Sequence, residues 1–402
     1  MFATSAFVFL WLFVFSVPWE GIILIPGFGT AARVIGFVAF GLGAVGILER
    51  GYIRSPGPGL LFLALFVTWS SATYFWSINQ QASLVRISTY SQLLVAAFLI
   101  SQFCSSRQRL KWMIQAYILG ACVSCADTLI HYYLQRGTED ERYSATGLNV
   151  NDVGLIIALS LPFSYQMAQE TPGVRSWLYR LHIVVAITAI LLTASRSAMV
   201  ASLVALSIVP ITGLLRRSGR AFAATLVTGA IASCAVWFVV PQASWQRLGT
   251  TTGEMTEGTL DLRTTIWAAG LKVFPLHPFL GVGSGAYEYS VTPIIGYPED
   301  GHFVAHNTYL SILVECGLAG LLIVILLVLV LARHVAALPS ARAIMWTFCL
   351  LTLATGMASA TWENYKAAWV LLSLCLAESA QKVRKFTYSP RPIRGRADED
   401  AI

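Results

Sequence analysis

Charged residues are scarce in this chain. Only 12% of its 402 residues are Asp, Glu, Lys or Arg, whereas soluble domains carry about 25%. Hydrophobic residues make up 56% of the sequence, and apolar runs recur at about 20 residues, the length that crosses a bilayer core. The composition therefore excludes an ordinary soluble domain and predicts an all-α, polytopic integral membrane protein.

The first apolar run has neither a basic n-region nor a small-residue cleavage site, because it ends in Pro18-Trp19-Glu20. We interpret it as a retained first helix and not as a cleaved signal peptide. Twelve spans are predicted in all, at about residues 2–19, 31–48, 59–76, 84–103, 111–133, 151–169, 180–194, 197–215, 221–240, 306–332, 342–360 and 364–381.

Basic residues fix the expected topology. With the N-terminus inside, 18 of the 27 Lys and Arg residues fall in cytoplasmic segments, including the basic tail at 382–402, as the positive-inside rule requires. Both termini are then cytoplasmic, and the net charge of +7 serves contact with membrane lipids, not nucleic acid. The same count requires a break at Arg196 in the apolar stretch 180–215, because a single helix there would invert every later loop.

Three features that would indicate another class of protein are either absent or incomplete. No internal repeat is visible, which argues against a transporter or flippase, although that alternative stays open. Cys122-Val-Ser-Cys125 lies inside a predicted span without nearby histidines, so small apolar packing residues are predicted there, with no metal or other cofactor. Gly281-Val-Gly-Ser-Gly285 lacks a preceding strand and a Walker lysine, so its glycines are expected to serve tight turns, not nucleotide binding.

One long segment, residues 241–305, is expected to stay outside the bilayer on the periplasmic side. Its apolar stripe predicts a short helix at Thr259–Phe274, with Leu262, Ile266, Ala269 and Val273 at helical spacing. Such a helix would lie on the membrane surface. The turn-rich Pro275–Gly285 should form a loop over the mouth of the bundle, which spans 2–240 and 306–381. Together these residues would act as a lid.

Arginines on the non-cytoplasmic side are the candidate binding residues, because topology does not require them there. Arg196 lies at or below the headgroup level, where a charged group is costly and usually functional, and its planar fork suits phosphate oxygens. Arg263, on the predicted lid helix, faces the same compartment. Arg86 and Lys366 are further candidates for phosphate binding, with membrane anchoring as the alternative for both.

A candidate proton acceptor begins the tenth predicted span. Histidine side chains generally titrate near neutrality, so His306 is suited to take a proton from an attacking sugar hydroxyl. Its neighbours Asn307 and Tyr309 are candidate supporting residues, and His302 is an alternative base. Glu315, within the span, is expected to face the bundle interior and either to orient His306 or to pair with an arginine. A separation of about 13 Å along the helix makes direct contact with His306 doubtful.

The order of these motifs resembles the O-antigen ligase and Wzy polymerase superfamily over about residues 140–380. The resemblance rests on six segments: Gly147-Leu-Asn-Val-Asn-Asp152, which contains Asn151, Ser195-Arg-Ser197, Leu262-Arg263 with Trp267, Pro278-Phe-Leu-Gly-Val-Gly283, His306-Asn-Thr-Tyr-Leu310 and Glu315-Cys-Gly-Leu-Ala-Gly320.

The resemblance implies a GT-C-like glycosyltransferase of the bacterial inner membrane. Its donor would be an undecaprenyl-diphosphate-linked glycan, used on the periplasmic side without a metal ion. Arg196 and Arg263 would bind the donor diphosphate, while His306 would activate the acceptor hydroxyl in an inverting displacement.

Ligase and polymerase members share these motifs. A ligase passes glycan to lipid A–core, a polymerase passes it to a second lipid-linked glycan, and some relatives glycosylate protein. We favour a ligase because the loop is of moderate length and no separate domain for a protein acceptor is visible. A structural scaffold of an envelope assembly is the remaining alternative.

Overall fold

The computed structural model describes residues 2–135, 142–215, 240, 242–249, 262–296, 303–361 and 363–387, with the side chains of 243, 247–249 and 379–387 left aside. Fifteen α-helices lie in these ranges: α1 Phe2–Ser16, α2 Ala31–Arg50, α3 Pro58–Ala72, α4 Gln80–Phe103, α5 Arg107–Gln135, α6 Val150–Glu170, α7 Val174–Leu192, α8 Arg196–Leu206, α9 Ile208–Leu215, α10 Gln242–Gly249, α11 Arg263–Val273, α12 Tyr287–Ile295, α13 Thr308–Ala336, α14 Ser340–Met357 and α15 Lys366–Thr387.

Short elements complete the described part of the chain. Single 3₁₀ turns occupy Val17–Trp19, Thr73–Trp76 and Phe274–Leu276. Strands β1, Leu24–Ile25, and β2, Gly29–Thr30, form an antiparallel hairpin between α1 and α2, which the sequence analysis did not predict.

The prediction of a polytopic all-α membrane protein is confirmed in its main part. Within the described residues, nine helical segments are long and apolar enough to cross a bilayer. Nine of the twelve predicted spans correspond to these segments. Two of the others are the helices α6 and α15, which are long but less apolar, and the third is residues 221–240, of which only residue 240 is described. The total of twelve spans therefore stays a prediction.

Helix α6 lies at the centre of the bundle. It packs against α5, α7, α8 and α14, and most of its residues are buried. Ser160 and Ser164 are among them and are completely shielded. A helix surrounded by protein need not present an apolar surface to lipid, which explains why α6 is less apolar than the nine candidate spans.

Segment 262–296 builds a second, smaller core beside the bundle. The stripe on α11 is buried as predicted at Ile266, Ala269 and Val273, where it packs with Tyr287 and other apolar residues of the segment. Leu262 is 53% exposed. Protein therefore covers this stripe, while the location of the helix on the membrane surface stays a prediction.

Helix α13 is broken at Gly317, where the sequence analysis predicted a continuous span. Gly317 has φ 67° and ψ −170°, a backbone conformation open essentially to glycine alone. A Cβ at this position would lie 2.3 Å from the carbonyl oxygen of Phe279. The break therefore exists to let the backbone of the 278–285 loop reach the interior of the bundle.

The loop satisfies the backbone groups that the break exposes. Val282 donates its N–H to the carbonyl of Val314 (2.9 Å), and Gly283 donates to that of Glu315 (3.0 Å). The next carbonyl, of Cys316, accepts the indole N–H of Trp69 on α3 at 2.9 Å. The loop backbone therefore completes the hydrogen bonds of α13 and is an integral part of the bundle.

Candidate functional site

The predicted site residues lie at one end of the bundle, which we call the loop end because residues 262–296 and 303–305 lie there. In the first turn of α13, Tyr309 donates its hydroxyl to the carbonyl of Ala354 near the end of α14, at 3.0 Å. A Cβ on Gly356 would lie 3.3 Å from the side chain of Leu155 in α6. The N-termini of α6 and α13 and the C-terminus of α14 are therefore neighbours.

Arg196 is the first residue of α8, and the residue before it fixes that helix at the loop end. Ser195 Oγ donates to Asn151 Oδ1 at 2.7 Å and accepts the N–H of Ala198 as the helix cap at 3.4 Å. Arg142 Nη2 donates to the same Asn151 oxygen at 3.1 Å. The break expected from the charge count is confirmed, and Arg196 is half-buried beside it.

His306 precedes the N-cap of α13. The side chain of Asn307 accepts the N–H groups of Tyr309 and Leu310, at 3.0 and 3.1 Å, so Asn307 uses its amide oxygen as the cap. Thr308 donates its hydroxyl to the carbonyl of Ala360 at 2.7 Å. These bonds fix the start of the helix and leave the imidazole of His306 half-buried at its edge.

Arg263 begins α11, and Trp267 of the same helix contacts the residue before His306. Trp267 Nε1 donates to the carbonyl of Ala305 at 2.7 Å, the residue directly before His306. Arg263 and Trp267 are four residues apart and therefore share one face of the helix. Arg263 thus lies on the face of α11 that turns toward the histidine.

Tyr287 fixes α11 from the other side. Its hydroxyl donates to the carbonyl of Ile266 at 3.0 Å, and the ring fills the space beside Gly270. Burial, and secondarily the carboxylate of Glu315, raise the pKa of Tyr287, so the hydroxyl keeps the proton that it donates. The lid helix is therefore held on both faces.

Strained backbone occurs at one of the three principal candidates and within two residues of the other two. The non-glycine residues with left-handed backbone in the described ranges are Ala194 (φ 46°), Leu262 (φ 62°) and His306 (φ 45°). Each such conformation costs about 1–3 kcal/mol and persists only where the surroundings hold it, typically at functional sites. Ala194 is two residues before Arg196, Leu262 directly precedes Arg263, and the third is the histidine itself. The sequence contains no signal of this coincidence.

Glu315 pairs with an arginine, one of the two roles expected for it. Its Oε2 lies 3.8 Å from Arg86 Nη1, and its two carboxylate oxygens accept the N–H groups of Gly285 and Tyr287 at 2.8 and 3.3 Å. Arg86 also forms an ion pair and a hydrogen bond with Glu363. All three charged side chains are largely buried, so together they tie the loop to α4, α13 and the turn before α15.

Lys366 is likewise engaged by protein. Its ammonium group forms an ion pair with Glu20, and Thr30 Oγ1 lies 3.4 Å away. Thr30 donates to the same Glu20 carboxylate at 3.2 Å. The sequence analysis did not identify Glu20 as the partner of Lys366 or Glu363 as the partner of Arg86. The members of these pairs are 346 and 277 positions apart, and nothing in a single sequence indicates that such distant residues will meet.

Away from the loop end, Cys122 and His182 are in contact, so these side chains are possible metal ligands. In the described ranges, no group of three or more His, Cys, Asp or Glu side chains is arranged to hold a metal ion. Cys122 Sγ contacts His182 Nδ1 at 3.1 Å, and Ser160 Oγ lies 2.8 Å from the other ring nitrogen. The alternative base His302 lies outside the described residues.

Comparison with known proteins adds one match. Residues 181–325 match the family model described as O-antigen ligase, which confirms the resemblance over a narrower range than the motifs suggested. A search of the curated proteins finds no match. The matched range contains Arg196, Arg263, His306 and Glu315, whereas Asn151, Arg86 and Lys366 lie outside it.

Proposed function

From the O-antigen ligase domain at residues 181–325, which places this chain in the O-antigen ligase and Wzy superfamily, we propose a specific reaction. The protein is a GT-C-like transferase that moves a glycan from an undecaprenyl-diphosphate donor to an acceptor hydroxyl on the periplasmic face of the inner membrane. The favoured acceptor is lipid A–core, and the alternative is a second lipid-linked glycan.

The observation that carries this proposal is the coincidence of strained backbone with Arg196, Arg263 and His306. All three lie in the matched range, and the hydrogen bonds of Ser195, Trp267 and Asn307 hold the segments that contain them. Strained positions that neighbouring groups hold in place are what a preorganised site requires. A scaffold protein has no need of them.

The chemistry assigned to these residues is an inverting displacement. The acceptor oxygen forms a bond to the anomeric carbon while the bond from that carbon to the diphosphate oxygen breaks. His306 takes the hydroxyl proton. Negative charge accumulates on the leaving undecaprenyl diphosphate, where the guanidinium groups of Arg196 and Arg263 stabilise it.

The remaining candidates take positioning roles in this proposal. Arg86 is occupied by Glu315 and Glu363. We therefore assign it the role of fixing the loop, and not that of contacting the diphosphate. Lys366 is occupied by Glu20 and anchors the start of α15. Asn151 organises the turn before Arg196.

The test is glycan transfer by purified protein in nanodiscs, with an undecaprenyl-diphosphate glycan as donor. Arg196→Lys and Arg263→Lys should each lower kcat/KM at least about 100-fold, because loss of a donor to a developing oxyanion costs about 2.7–4 kcal/mol. His306→Asn should lower it by about 10²–10⁴-fold, because it removes the general base. Lysine keeps the charge but loses the fork that binds two oxygens.

Matched controls separate chemistry from folding. His277→Asn changes the same residue type on an exposed loop position, and Arg107→Lys changes an arginine that pairs with Glu170 at the opposite end of the bundle; both should retain transfer. Full activity in all three site variants would refute the assignment. Mass gained by lipid A–core identifies a ligase, mass gained by a second lipid-linked glycan identifies a polymerase, and donor translocation without transfer would favour a flippase.

A further inference from the structure

A separate apolar groove lies on the lipid-facing side of the bundle, between α1, α2 and α4. Its volume is about 240 Å³, and its lining is almost wholly apolar, with Phe13, Gly36 and Leu99 along its length. Its α2 wall is open to the surroundings, since Phe37 and Phe40 are 53% and 50% exposed. Arg196, Arg263 and His306 of the proposed transfer site do not line it, whereas Lys366, which anchors α15, lies at one end.

The charged end of this groove carries one unbalanced positive charge. Lys366 is neutralised by Glu20, whereas Arg33 is exposed and forms no ion pair with any carboxylate in the described ranges. The guanidinium of Arg33 lies over the ring of Phe37, 5.9 Å from its centroid. Both basic residues lie in the first turn of a helix that starts at the loop end, so the charge sits at the membrane-surface end of an apolar channel.

The geometry points to an anionic glycerophospholipid as the occupant, with its phosphate on Arg33 and one acyl chain in the groove. The net charge at the end, from Arg33, Lys366 and Glu20, is +1, which balances a phosphodiester. A glycan-linked diphosphate carries a second negative charge that the groove would leave without a partner.

The length of the groove agrees with this occupant. Along α2 its lining extends from Ala32 to Phe40, a rise of about 12 Å, which is less than half of the ~30 Å hydrocarbon thickness. The groove therefore fits a chain confined to one leaflet, whereas a long polyprenyl chain would extend well beyond it.

The test uses native mass spectrometry of the purified full chain, titrated with phosphatidylglycerol or phosphatidylcholine. The unaltered protein should retain one phosphatidylglycerol in preference to phosphatidylcholine. Arg33→Gln should lower the affinity for phosphatidylglycerol roughly fivefold, the effect of one basic residue at a membrane surface, and so reduce its preference over phosphatidylcholine. Arg175→Gln removes an exposed arginine near the start of α7, outside the groove, and should change neither.

A second pair of variants tests the apolar part. Gly36→Leu places a side chain in the groove and should abolish retention of both lipids. Gly41→Leu makes the same change on the same helix where nothing lies within 4 Å, outside the groove lining, and should retain both. Unchanged phosphatidylglycerol retention in Arg33→Gln or in Gly36→Leu would overturn the proposal. So would displacement of phosphatidylglycerol by an equal concentration of undecaprenyl monophosphate, because the groove would then belong to the donor lipid.

Discussion

Gly317 provides the sharpest test of how the loop enters the bundle. We expect Gly317→Ala to release the 278–285 loop from the broken helix α13. The backbone at Gly317 has φ 67° and ψ −170°, which costs a non-glycine residue about 1–3 kcal/mol. The new methyl group would also lie 2.3 Å from the carbonyl oxygen of Phe279, so backbone on one side must move.

The magnitude follows from the sum of strain and overlap. We take about 3 kcal/mol as the loss in docking free energy, the upper end of the strain range, because the overlap is with backbone and not with a flexible side chain. Since 1.4 kcal/mol corresponds to a factor of ten, the population of the undocked loop should rise about 100-fold.

Hydrogen exchange measures this population directly. The N–H groups of Val282 and Gly283 donate to carbonyls at the break, so their protection should fall by about the same factor. Gly41→Ala is the matched control, because its Cβ meets nothing within 4 Å and alanine in an open helix position stabilises by up to about 1 kcal/mol. Unchanged protection at Val282 and Gly283 in Gly317→Ala would refute the idea that the glycine admits the loop.

Three further predictions use the same assays. Glu315→Gln should both loosen the loop in hydrogen exchange and lower transfer at least tenfold, because it leaves the buried Arg86 with one carboxylate partner in place of two. Trp267→Phe should lower transfer about two- to tenfold while the loop stays protected, since it removes one hydrogen bond worth about 0.5–1.5 kcal/mol from the start of the histidine segment. Cys122→Ala should leave transfer within about twofold, because the Cys122–His182 contact is remote from the loop end; a larger loss would reveal a role that the geometry does not indicate.

Much of the architecture followed from sequence because the bilayer imposes simple rules. A run such as residues 31–50 must be helical if it is to satisfy its own backbone groups in lipid. The positive-inside count then located the break before Arg196, although that stretch is almost continuously apolar. Both arguments depend only on composition and order along the chain, so a single sequence sufficed for them.

Such arguments could not predict which residues pair with the buried charged side chains. Arg86 and Lys366 were predicted to bind phosphate because their locations had no topological explanation. The fold supplies that explanation by bringing Glu363 and Glu20 to them from distant parts of the chain. Long-range pairing of this kind leaves no local pattern, since any acidic residue on the same side of the membrane is an equal candidate.

The sequence by itself determined the class of protein, most of the spans, the family resemblance and the identities of Arg196, Arg263 and His306 as candidates. Only the tertiary structure decided that the loop enters the bundle through a break at Gly317 and that Glu315 and Arg86 hold it there. The reason is physical. Hydropathy and charge act on each segment separately, whereas the close approach of two backbones and the strain at Ala194, Leu262 and His306 exist only once the segments are packed together.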